Sequence, residues 1–568
     1  MTAARPVPSR RAGALVLVVA LALVAAACGS SSSGGAAGDG GGTGAIAGVP
    51  EESGYPEDAK PTRGGQLVYG LEAETNGGYC LPEAQIAISG MQVVRSIYDF
   101  LAVPDAKGGY APYLAKAIDH DASSTNWTIT LRAGITFHDG SPLDAEVVKN
   151  NLDAYRGAYP ARSPLLFSFV LKNIASVAVL NQLTVRVTTK TPWSAFPSAL
   201  YSSGRLGILA QSQLDDPDTC DRRLVGTGPF ELVSWKKGSS LKVKRNPEYW
   251  QEAPDGKPYP YLNAIDFRPV PNGDARLAML QAGELNMAHT SSAADMGENL
   301  PALRDDGAIN LIVSEEQTEV AYVLINSTKP PLDDRRARLA IAQAIDRKKL
   351  NEQTNASVPT LADGPFAPGV MGHLDDPGFP AHDPAAAKKA VAALKKEGKP
   401  TSLRLVTSVN TAAVRQATLE RAMLEDVGFT VELQPETEAD LIDLVIAGDY
   451  DLATFRNQPG DDPDTDYHWW YGEGNPVNFG RFDDPVINEN LDIGRRSGDR
   501  ATRKKAYEAI NRRFADQVWN VWLWYAPWAV AEAANVHGIL GPPLPDDAAD
   551  PPARLVTGHP LHGIWIER

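Results

Sequence analysis

The sequence predicts an α/β protein that contains a parallel, doubly wound sheet. Its 568 residues are 43% hydrophobic and 22% charged, the composition of a soluble globular protein that can bury large cores. From about residue 64, short strand patterns alternate with helix patterns. The clearest stretch, 402–456, has the order strand, helix, strand, helix, strand. This order favours parallel strands, whose ligands lie beyond the carboxyl ends of the strands.

Hydrophobic periodicity and turn residues predict the individual elements. The predicted strands lie at 66–71, 127–131, 183–187, 230–235, 241–245, 403–407, 429–433 and 450–455. The predicted helices lie around 148–155, at 414–427 and 440–447, and from the acidic pair Asp333 and Asp334 through Leu350. The two strands at 230–245 are expected to form a hairpin, because Lys237-Gly238-Ser239 separates them.

The N-terminus has the features of a bacterial lipoprotein signal. Three arginines, Arg5, Arg10 and Arg11, precede the uncharged apolar run 12–27. This run is short for a membrane-spanning helix, and no stop-transfer charges follow it. Small residues then precede Cys28, which begins a Gly/Ser segment and resembles the lipid-bearing cysteine of such signals. Cys28 is therefore the predicted lipidation site.

This signal predicts where the mature protein lies. Residues 1–27 are expected to be removed, and the lipid would hold the protein at the cell membrane, facing the extracytoplasmic side. The alternative is an ordinary secretory signal cleaved after Ala27. Residues 28–60 are rich in Gly, Ser and Ala and are predicted to be a flexible tether, because they carry few apolar side chains to bury.

Charge and cysteine content disfavour two kinds of binding and predict one disulfide. The net charge of −16 disfavours binding to nucleic acid, which requires a basic surface. Outside the cytoplasm, the remaining pair Cys80 and Cys220 predicts one disulfide, the alternative being two separate buried thiols. No CxxC or HExxH pattern occurs, so neither a metal nor another cofactor is expected.

Four sequence blocks carry a family resemblance. They lie in order at 127–142, 226–250, 276–285 and 331–347. The first contains Phe137-His138-Asp139-Gly140 after an alternating strand, and the second contains Gly226-Thr227-Gly228-Pro229-Phe230. As an ordered set they resemble the family 5 extracellular solute-binding proteins, the peptide- and nickel-type receptors of ABC importers. Most of these residues, Trp127 and Phe137 among them, are expected to specify the fold and not to contact a ligand.

The resemblance implies a two-lobed, periplasmic-binding-protein-like fold with a hinge and an extra domain inserted in lobe I. Lobe I would comprise 61–95, 222–325 and 516–568, the inserted domain 96–221, and lobe II 326–515. The hinge strands are expected near 323–326 and 518–524. A ligand would be enclosed between the lobes.

The resemblance also implies a function. The protein is expected to be a substrate-binding lipoprotein and not an enzyme, which captures a small-molecule or peptide ligand and delivers it to an ABC permease. It is expected to be a monomer, to be anchored to the membrane through lipid alone, and to bind no nucleic acid.

Candidate ligand contacts come from two places: the loop after the last strand of the 402–456 stretch, which faces the ligand in the family, with the residues that follow it, and the aromatic cluster at the second hinge strand. The first place supplies Arg456, Asn457, Gln458, Asp461, His468 and Trp469, and the second supplies Trp524. Arg456 suits a carboxylate or a phosphate, although a surface ion pair is an equal alternative. The two tryptophans offer flat faces, although clustered tryptophans commonly fill cores. His468 is a possible polar contact or simply a packed residue.

Two departures from the family affect the ligand. Helix 440–447 lacks the Arg that holds a dipeptide's carboxylate, and the Asp that holds its amino group aligns with either Pro459 or Asp461. We therefore expect a peptide longer than two residues, or a modified peptide, held mainly through its backbone. An oligosaccharide is the nearest alternative ligand.

Two alternatives to transport remain open at this point. A secreted hydrolase would need a nucleophile with its base or a carboxylate pair, for which the acidic cluster Asp461, Asp462 and Asp464 is the candidate; no GxSxG, SxxK or HExxH motif occurs. A ligand sensor on the same scaffold would have no transport role.

Overall fold

The computed structural model describes residues 60–546 and 558–568, with gaps at 76, 85, 165–166, 294, 458–461 and 473. The predicted signal peptide, Cys28 and nearly all of the predicted tether therefore lie outside the described residues. The described residues belong to one compact unit.

The strands alternate with helices along the described chain. The strands are β1 (Gln66–Leu71), β2 (Ala102–Pro104), β3 (Tyr110–Pro112), β4 (Ala115–His120), β5 (Asn126–Leu131), β6 (Ile174–Asn181), β7 (Thr184–Thr189), β8 (Phe230–Lys236), β9 (Ser240–Arg245), β10 (Ala264–Pro269), β11 (Met287–Thr290), β12 (Ile309–Ile325), β13 (Ser402–Ser408), β14 (Thr430–Glu436), β15 (Leu452–Asn457), β16 (Asn520–Ala533), β17 (Val536–His537) and β18 (Trp565–Ile566).

The helices are α1 (Ile88–Ile97), α2 (Ala145–Tyr155), α3 (Ser168–Leu171), α4 (Phe196–Ala199), α5 (Gln211–Leu214), α6 (Gly273–Gln281), α7 (Leu300–Asp305), α8 (Arg335–Ala344), α9 (Arg347–Asn355), α10 (Pro384–Lys396), α11 (Thr411–Asp426), α12 (Glu438–Ala447), α13 (Tyr467–Trp470), α14 (Pro485–Arg496) and α15 (Arg500–Gln517). Most of the longer helices begin with an Asp, Asn or Thr cap, as Asp383 does for α10 by accepting from the N–H of Ala386. Within the described residues, no helix is both long and apolar enough to cross a membrane.

A ten-stranded sheet runs through the centre of the described chain in the order β14-β13-β15-β12-β16-β11-β1-β10-β9-β8. Its long central strands, β12 and β16, are antiparallel and take part in both halves of the sheet. β16 pairs with β11 at 529–532, whereas β12 pairs with β15 at 320–325. Between these pairings lie 314–319 of β12 and 525–528 of β16, which we call the junction.

Smaller sheets accompany the central one. A four-stranded antiparallel sheet has the order β4-β5-β7-β6, and β2 pairs with β3. Each half of the large sheet buries apolar side chains: for example, Ile341 of α8 and Leu424 of α11 join Leu405 of β13 in one cluster. Another cluster contains residues from both halves, such as Tyr69 of β1 and Val406 of β13, so the packing is continuous past the junction.

The structure confirms the predicted strand, helix, strand, helix, strand order as β13, α11, β14, α12 and β15, with β13 parallel to both of the other strands. It also confirms β1 at its predicted bounds and the antiparallel hairpin of β8 and β9. Of the expected hinge positions, 323–325 lie where β12 pairs with β15, and 520–524 lie where β16 pairs with β12, directly before the junction residues of β16.

The single helix predicted from Asp333 to Leu350 is wrong, because the chain forms α8 and α9 there. Ile345 leaves the helical region with a ψ of 110°. Asp346 then caps α9 by accepting a hydrogen bond from the backbone N–H of Lys349 at 3.0 Å. The capping signal was present in the sequence inside a longer helix-like pattern.

The predicted pairing of the two cysteines is present in the structure. Cys80 and Cys220 form a disulfide with Sγ atoms 2.01 Å apart and Cα atoms 5.0 Å apart. The bond ties the segment after β1 to the segment before β8.

Candidate functional site

The candidate site lies at the junction, where strands from both halves of the sheet end. β11 ends at Thr290, opposite Ala529, and β15 ends at Asn457, opposite Val320. β1 runs parallel to β11 and ends at Leu71. Ligands of α/β sheets bind beyond the carboxyl ends of strands, where the connections diverge. Polar side chains that follow these strands can therefore meet at one place.

Arg456 of β15 is the predicted site residue that reaches across the junction. Its Nη1 lies 3.3 Å from Oε2 of Glu319 on β12, and it donates to Oγ of Ser291, just after β11, at 3.5 Å. The Arg456 side chain is 44% exposed and that of Glu319 is 16% exposed. These contacts join the two halves through groups that a solute can still reach.

Glu72, directly after β1, extends this group of charges into the other half. The backbone N–H and the Oγ of Ser291 donate to its two carboxylate oxygens at 2.7 and 2.8 Å. Nη2 of Arg276 lies 4.0 Å from the same carboxylate and donates to Oγ1 of Thr290 at 2.9 Å. The carboxylate is therefore held in a fixed orientation beside Arg456.

Arg205 is a further cation near the junction, and the sequence analysis missed it. The preceding turn, 202–204, has three successive positive φ angles of 44, 56 and 81°. Nε of Arg205 donates to the carbonyl oxygen of Ile86 at 3.0 Å. Burial lowers the pKa of Arg205 to about 10, while the negative charge of Glu319 opposes that lowering, so Glu319 lies within electrostatic reach. The junction site, as we use the term, comprises Glu72, Arg205, Ser291, Glu319 and Arg456.

His468 is a buried, neutral residue near this site. Its ring centroid lies 5.3 Å from that of Phe167 and 4.3 Å from that of Trp469. Burial, together with the positive charges of Arg205 and Arg495, lowers its pKa to about 3. His468 is therefore uncharged near neutral pH, and it packs among rings in the manner of a core residue.

The aromatic candidates differ in how much of each ring is accessible. Trp469 is half-buried, with its ring 5.9 Å from that of Phe479. Trp524 is only 5% exposed and packs in the cluster beneath β12 and β15. Trp528, at the junction, stacks on His289 with ring centroids 4.3 Å apart and planes 14° apart. Trp469 thus offers more surface than Trp524.

The remaining candidates follow Arg456 directly. Asn457 is buried, and both polar atoms of its side chain lack a hydrogen-bond partner among the described residues. Gln458 and Asp461 lie outside the described residues.

A second charged group, which we call the Asp464 cluster, comprises Trp193, Asp464, Tyr467 and Arg495. Nε and Nη2 of Arg495 donate to the carboxylate of Asp464 at 2.8 and 3.1 Å, and Nε1 of Trp193 donates to it at 2.7 Å. The guanidinium also lies over the rings of Trp193 and Tyr467, 4.5 and 3.5 Å from their centroids. The side chains of Asp464 and Arg495 are 2% and 4% exposed. This cluster connects the segment after β7 with the segment after β15.

These contacts bear on the carboxylates proposed for a hydrolase. Asp462 accepts from Nη2 of Arg503 at 2.5 Å, and Asp464 is held in its cluster. Burial raises the pKa of Asp466 well above its usual value, which disfavours its charged form. The carboxylates of Asp462 and Asp464 are therefore engaged in structural contacts, and Asp466 is buried.

Two other places in the described chain do not form a solute site. Among the described residues, the group with metal-like spacing is Cys80, Glu83 and Cys220, and its two sulfur atoms form the disulfide. A cavity of about 20 Å³ is lined by residues including Tyr113 and Gln251, away from the junction. It has room for about one water molecule, far less than a peptide needs.

Comparison with known proteins identifies the family. The family model described as "Bacterial extracellular solute-binding proteins, family 5 Middle" matches residues 109–478. The glutathione-binding protein GsiB of Salmonella paratyphi A (strain ATCC 9150 / SARB42) is 32% identical over 308 residues, which cover 54% of this chain and 57% of GsiB. The chain thus matches little more than half the length of this curated relative.

Solved structures extend the likeness to nearly the whole fold. The binding protein AgaA from A.tumefacien R10, in complex with agropinic acid, has a TM-score of 0.77 at 23% identity and covers 89% of this chain and 99% of AgaA. The binding protein DppA from Helicobacter pylori, in complex with the peptide STSA, has a TM-score of 0.77 at 20% identity, with coverage of 89% and 99%. At these identities the likeness shows the fold alone, and it confirms the predicted two-lobed α/β class.

The family match also defines the general role. Family 5 proteins are extracytoplasmic, bind small-molecule or peptide ligands and work with ABC permeases. They are transport receptors and not enzymes, as the sequence predicted. The chain belongs to the family 5 extracellular solute-binding proteins of bacteria.

Proposed function

We propose that this protein captures a peptide-like solute at the junction and delivers it to an ABC permease. The observation that carries the proposal is the junction site itself. Glu319, Arg456 and Glu72 come from different strands of both halves and lie together with a serine hydroxyl. Such a mixture of fixed donors and acceptors suits a ligand whose own polar groups alternate along its length.

The names of related proteins support a peptide-like solute. One relative is a glutathione-binding protein, and one structural neighbour holds the peptide STSA. Because another structural neighbour is bound to agropinic acid, a non-peptide solute is the alternative.

We further propose that the solute is longer than a dipeptide, or is a modified peptide, and is held mainly through its backbone. Helix α12 contains Asp440 and Asp443 but no arginine to clamp the end of a dipeptide. Main-chain groups of an extended peptide can pair with protein groups along its length, as an added strand does. Half-buried rings such as Trp469 would then accommodate different side chains.

The test is a melting and calorimetry panel of dipeptides, peptides of three to eight residues, and oligosaccharides. A ligand at 100 times its dissociation constant adds about 2.7 kcal/mol to stability, which a melting curve resolves. We expect peptides of three or more residues to raise the melting temperature. Tight binding of free dipeptides, or of oligosaccharides with no response to peptides, would contradict the proposal.

We also propose that Cys28 carries a lipid that anchors the protein as a monomer on the extracytoplasmic face of the cell membrane. The support is the sequence of the N-terminus, because two acyl chains anchor stably where one does not. Cys28→Ala should release the protein from the membrane fraction or leave an unprocessed precursor. Unchanged processing and membrane retention of this variant would refute lipidation, and light scattering of the released protein measures its oligomeric state.

The proposed boundaries of the lobes are those of the sequence analysis. Lobe I (61–95, 222–325 and 516–568) includes β1 and β8–β11, and lobe II (326–515) includes β13–β15. The separate four-stranded sheet falls within the proposed inserted domain, 96–221. Small-angle scattering with and without solute tests this organisation, because two lobes that close on a ligand should reduce the radius of gyration.

A further inference from the structure

We propose that Arg205 binds a carboxylate group of the solute, so that an acidic group is part of what this protein recognises. The inference rests on the proposed capture of a peptide-like solute and specifies one chemical group of that solute. The carboxylate belongs either to the C-terminus of a peptide or to an acidic side chain, and the experiment below separates these sources.

Most of the Arg205 guanidinium is available to a ligand. Within the described part of the chain, its side chain makes one hydrogen bond, from Nε to the carbonyl oxygen of Ile86 at 3.0 Å. Among the described residues, no carboxylate oxygen lies within 4.0 Å of it. A guanidinium has five N–H donors in a planar fork that matches a carboxylate. The terminal nitrogens of Arg205 can therefore form the paired contact that a carboxylate prefers.

Arg338, another buried arginine, provides a contrast. Arg338 donates to the carbonyl oxygens of Leu332 and Gln517 at 2.8 to 3.1 Å, and its guanidinium lies 4.0 Å from the ring centroid of Trp519. Its donors are thus used by the protein itself. Arg205 has no comparable set of partners, which is the state expected of a residue whose partner arrives with the ligand.

The backbone that presents Arg205 also supports this inference. Ser202 and Ser203 have positive φ angles of 44 and 56°, a region that costs non-glycine residues energy. Such backbone strain concentrates where a side chain must be held in a particular position. Together with the hydrogen bond to Ile86, the turn orients the guanidinium before any ligand binds, which reduces the entropy lost on binding.

The position of Arg205 relative to the junction supports it as well. Glu319 lies 3.3 Å from Arg456, and its negative charge opposes the lowering of the Arg205 pKa by burial. Five residues, 206–210, separate Arg205 from α5, whereas Arg456 belongs to β15 of the central sheet. A solute carboxylate beside Arg205 would therefore be held close to the contacts that Arg456 makes across the junction.

The experiment uses tetrapeptide pairs that differ in one charge, with either a free or an amidated C-terminus, and with either Glu or Gln as a side chain. Calorimetry is performed on the wild type, Arg205→Gln and Arg205→Lys. Arg496→Gln is the control, because it removes the same charge from an exposed residue on α14. We expect the wild type and the control to prefer one acidic form by about tenfold or more, equivalent to about 1.4 kcal/mol.

Arg205→Gln should bind the acidic and neutral forms equally, and Arg205→Lys should keep part of the preference, because a lysine retains the charge but not the paired geometry. The melting temperature of the ligand-free Arg205→Gln protein should stay within about 2 °C of the wild type. A large drop would identify a structural role and overturn the inference.

Two further outcomes distinguish this inference from the proposed function. If peptides bind but the wild type shows no preference for either acidic form, or if Arg205→Gln keeps the preference, the role of Arg205 is refuted while peptide capture stands. If no peptide binds, the proposed function fails and this inference fails with it.

Discussion

The Asp464 cluster and the junction site contain similar residues in opposite situations. In the Asp464 cluster, Arg495 and Asp464 are almost fully buried, and one carboxylate receives three hydrogen bonds between 2.7 and 3.1 Å. In the junction site, Arg456 and Glu319 are partly exposed and approach each other to 3.3 Å. Both groups connect segments from different parts of the chain.

The difference indicates which charges serve the fold and which serve a ligand. A buried ion pair is stable only when its hydrogen bonds are complete. The charged groups of the Asp464 cluster therefore bond to one another and are not available to a ligand. An exposed pair contributes little to stability and can exchange its partner for a solute. The predictions below test this division by comparing variants of the two groups.

The largest expected effect is the loss of one partner from the Asp464 cluster. Arg495→Met removes both guanidinium hydrogen bonds and leaves the buried carboxylate of Asp464 with Trp193 as its side-chain donor. Leaving a buried charge without its partner costs about 3–5 kcal/mol. Denaturant unfolding should therefore show a loss of that size in the free energy of unfolding.

The neighbouring residue supplies the control for this experiment. Arg496 lies on the same helix, is 48% exposed and pairs with Asp492 four residues earlier. Arg496→Met should cost less than about 0.5 kcal/mol, as exposed helical ion pairs usually do. Equal effects of the two substitutions would mean that burial of the Asp464 cluster does not set its importance.

A second prediction concerns His468, whose pKa is lowered to about 3 by burial and by the charges of Arg205 and Arg495, one from each group. The unfolded chain binds a proton at this residue near pH 6.5, and the folded chain does not. The contribution of His468 to stability is therefore complete above about pH 6.5 and is lost as the pH falls. The loss amounts to about 2 kcal/mol at pH 5.

Unfolding measured from pH 7.5 to 4.5 tests this, with His468→Gln as the variant. Removing the titrating group should make the pH dependence shallower by about 2 kcal/mol between pH 7 and 5. His382→Gln, at an exposed position, is the control. His559 and His562 have pKa values lowered to about 3 by burial, so part of the wild-type dependence should persist in the variant. An unchanged slope in His468→Gln would show that this ring is not buried as described.

A third, smaller effect isolates one hydrogen bond of the Asp464 cluster. Trp193→Phe removes the Nε1 donor to Asp464 but keeps an aromatic ring beside Arg495. Hydrogen bonds to a charged group contribute about 1.5–3 kcal/mol, so thermal unfolding should show a loss of about 1–2 kcal/mol after the remaining contacts adjust. Trp127→Phe, which removes a bond of 3.2 Å to the neutral carbonyl oxygen of Ser124, should cost less.

The fold was more predictable than the site because its signals are local. Alternation of apolar residues and terminating glycines predicted β13, α11, β14, α12 and β15 in the correct order. The error at α8 and α9 arose because continuous helical periodicity concealed a break at Ile345. The position of the junction depends on which residues of β12 pair with β15 and which residues of β16 pair with β11. This register cannot be derived from the sequence of any one segment.

The site was predicted in part, for the same reason. Arg456 was found because it belongs to a segment with a family pattern; the predicted loop position was wrong, because β15 extends to Asn457 and includes it. Glu319 and Ser291 lie more than a hundred residues from it along the chain and are brought near it by strand pairing, so no spacing rule identifies them. Arg205 lies outside the strands, in the segment between β7 and α5. One available signal was the Ser-Ser-Gly turn, which places Arg205 between two apolar runs. Trp524 was nominated for its residue type, and its ring proved largely buried.

The smallest effect on stability is expected at Arg456. Because its side chain is 44% exposed, Arg456→Gln should change the free energy of unfolding of the ligand-free protein by about 1 kcal/mol or less. The same variant should weaken solute binding by about tenfold, since the solute loses a charged donor at the junction. Arg336→Gln is the matched control: Arg336 is 51% exposed and pairs with Asp334 and Glu397, so its loss should affect stability similarly and leave calorimetric affinity unchanged. If Arg456→Gln destabilised the fold as strongly as Arg495→Met while affinity stayed the same, Arg456 would belong with the structural charges, and the division between the two groups would fail.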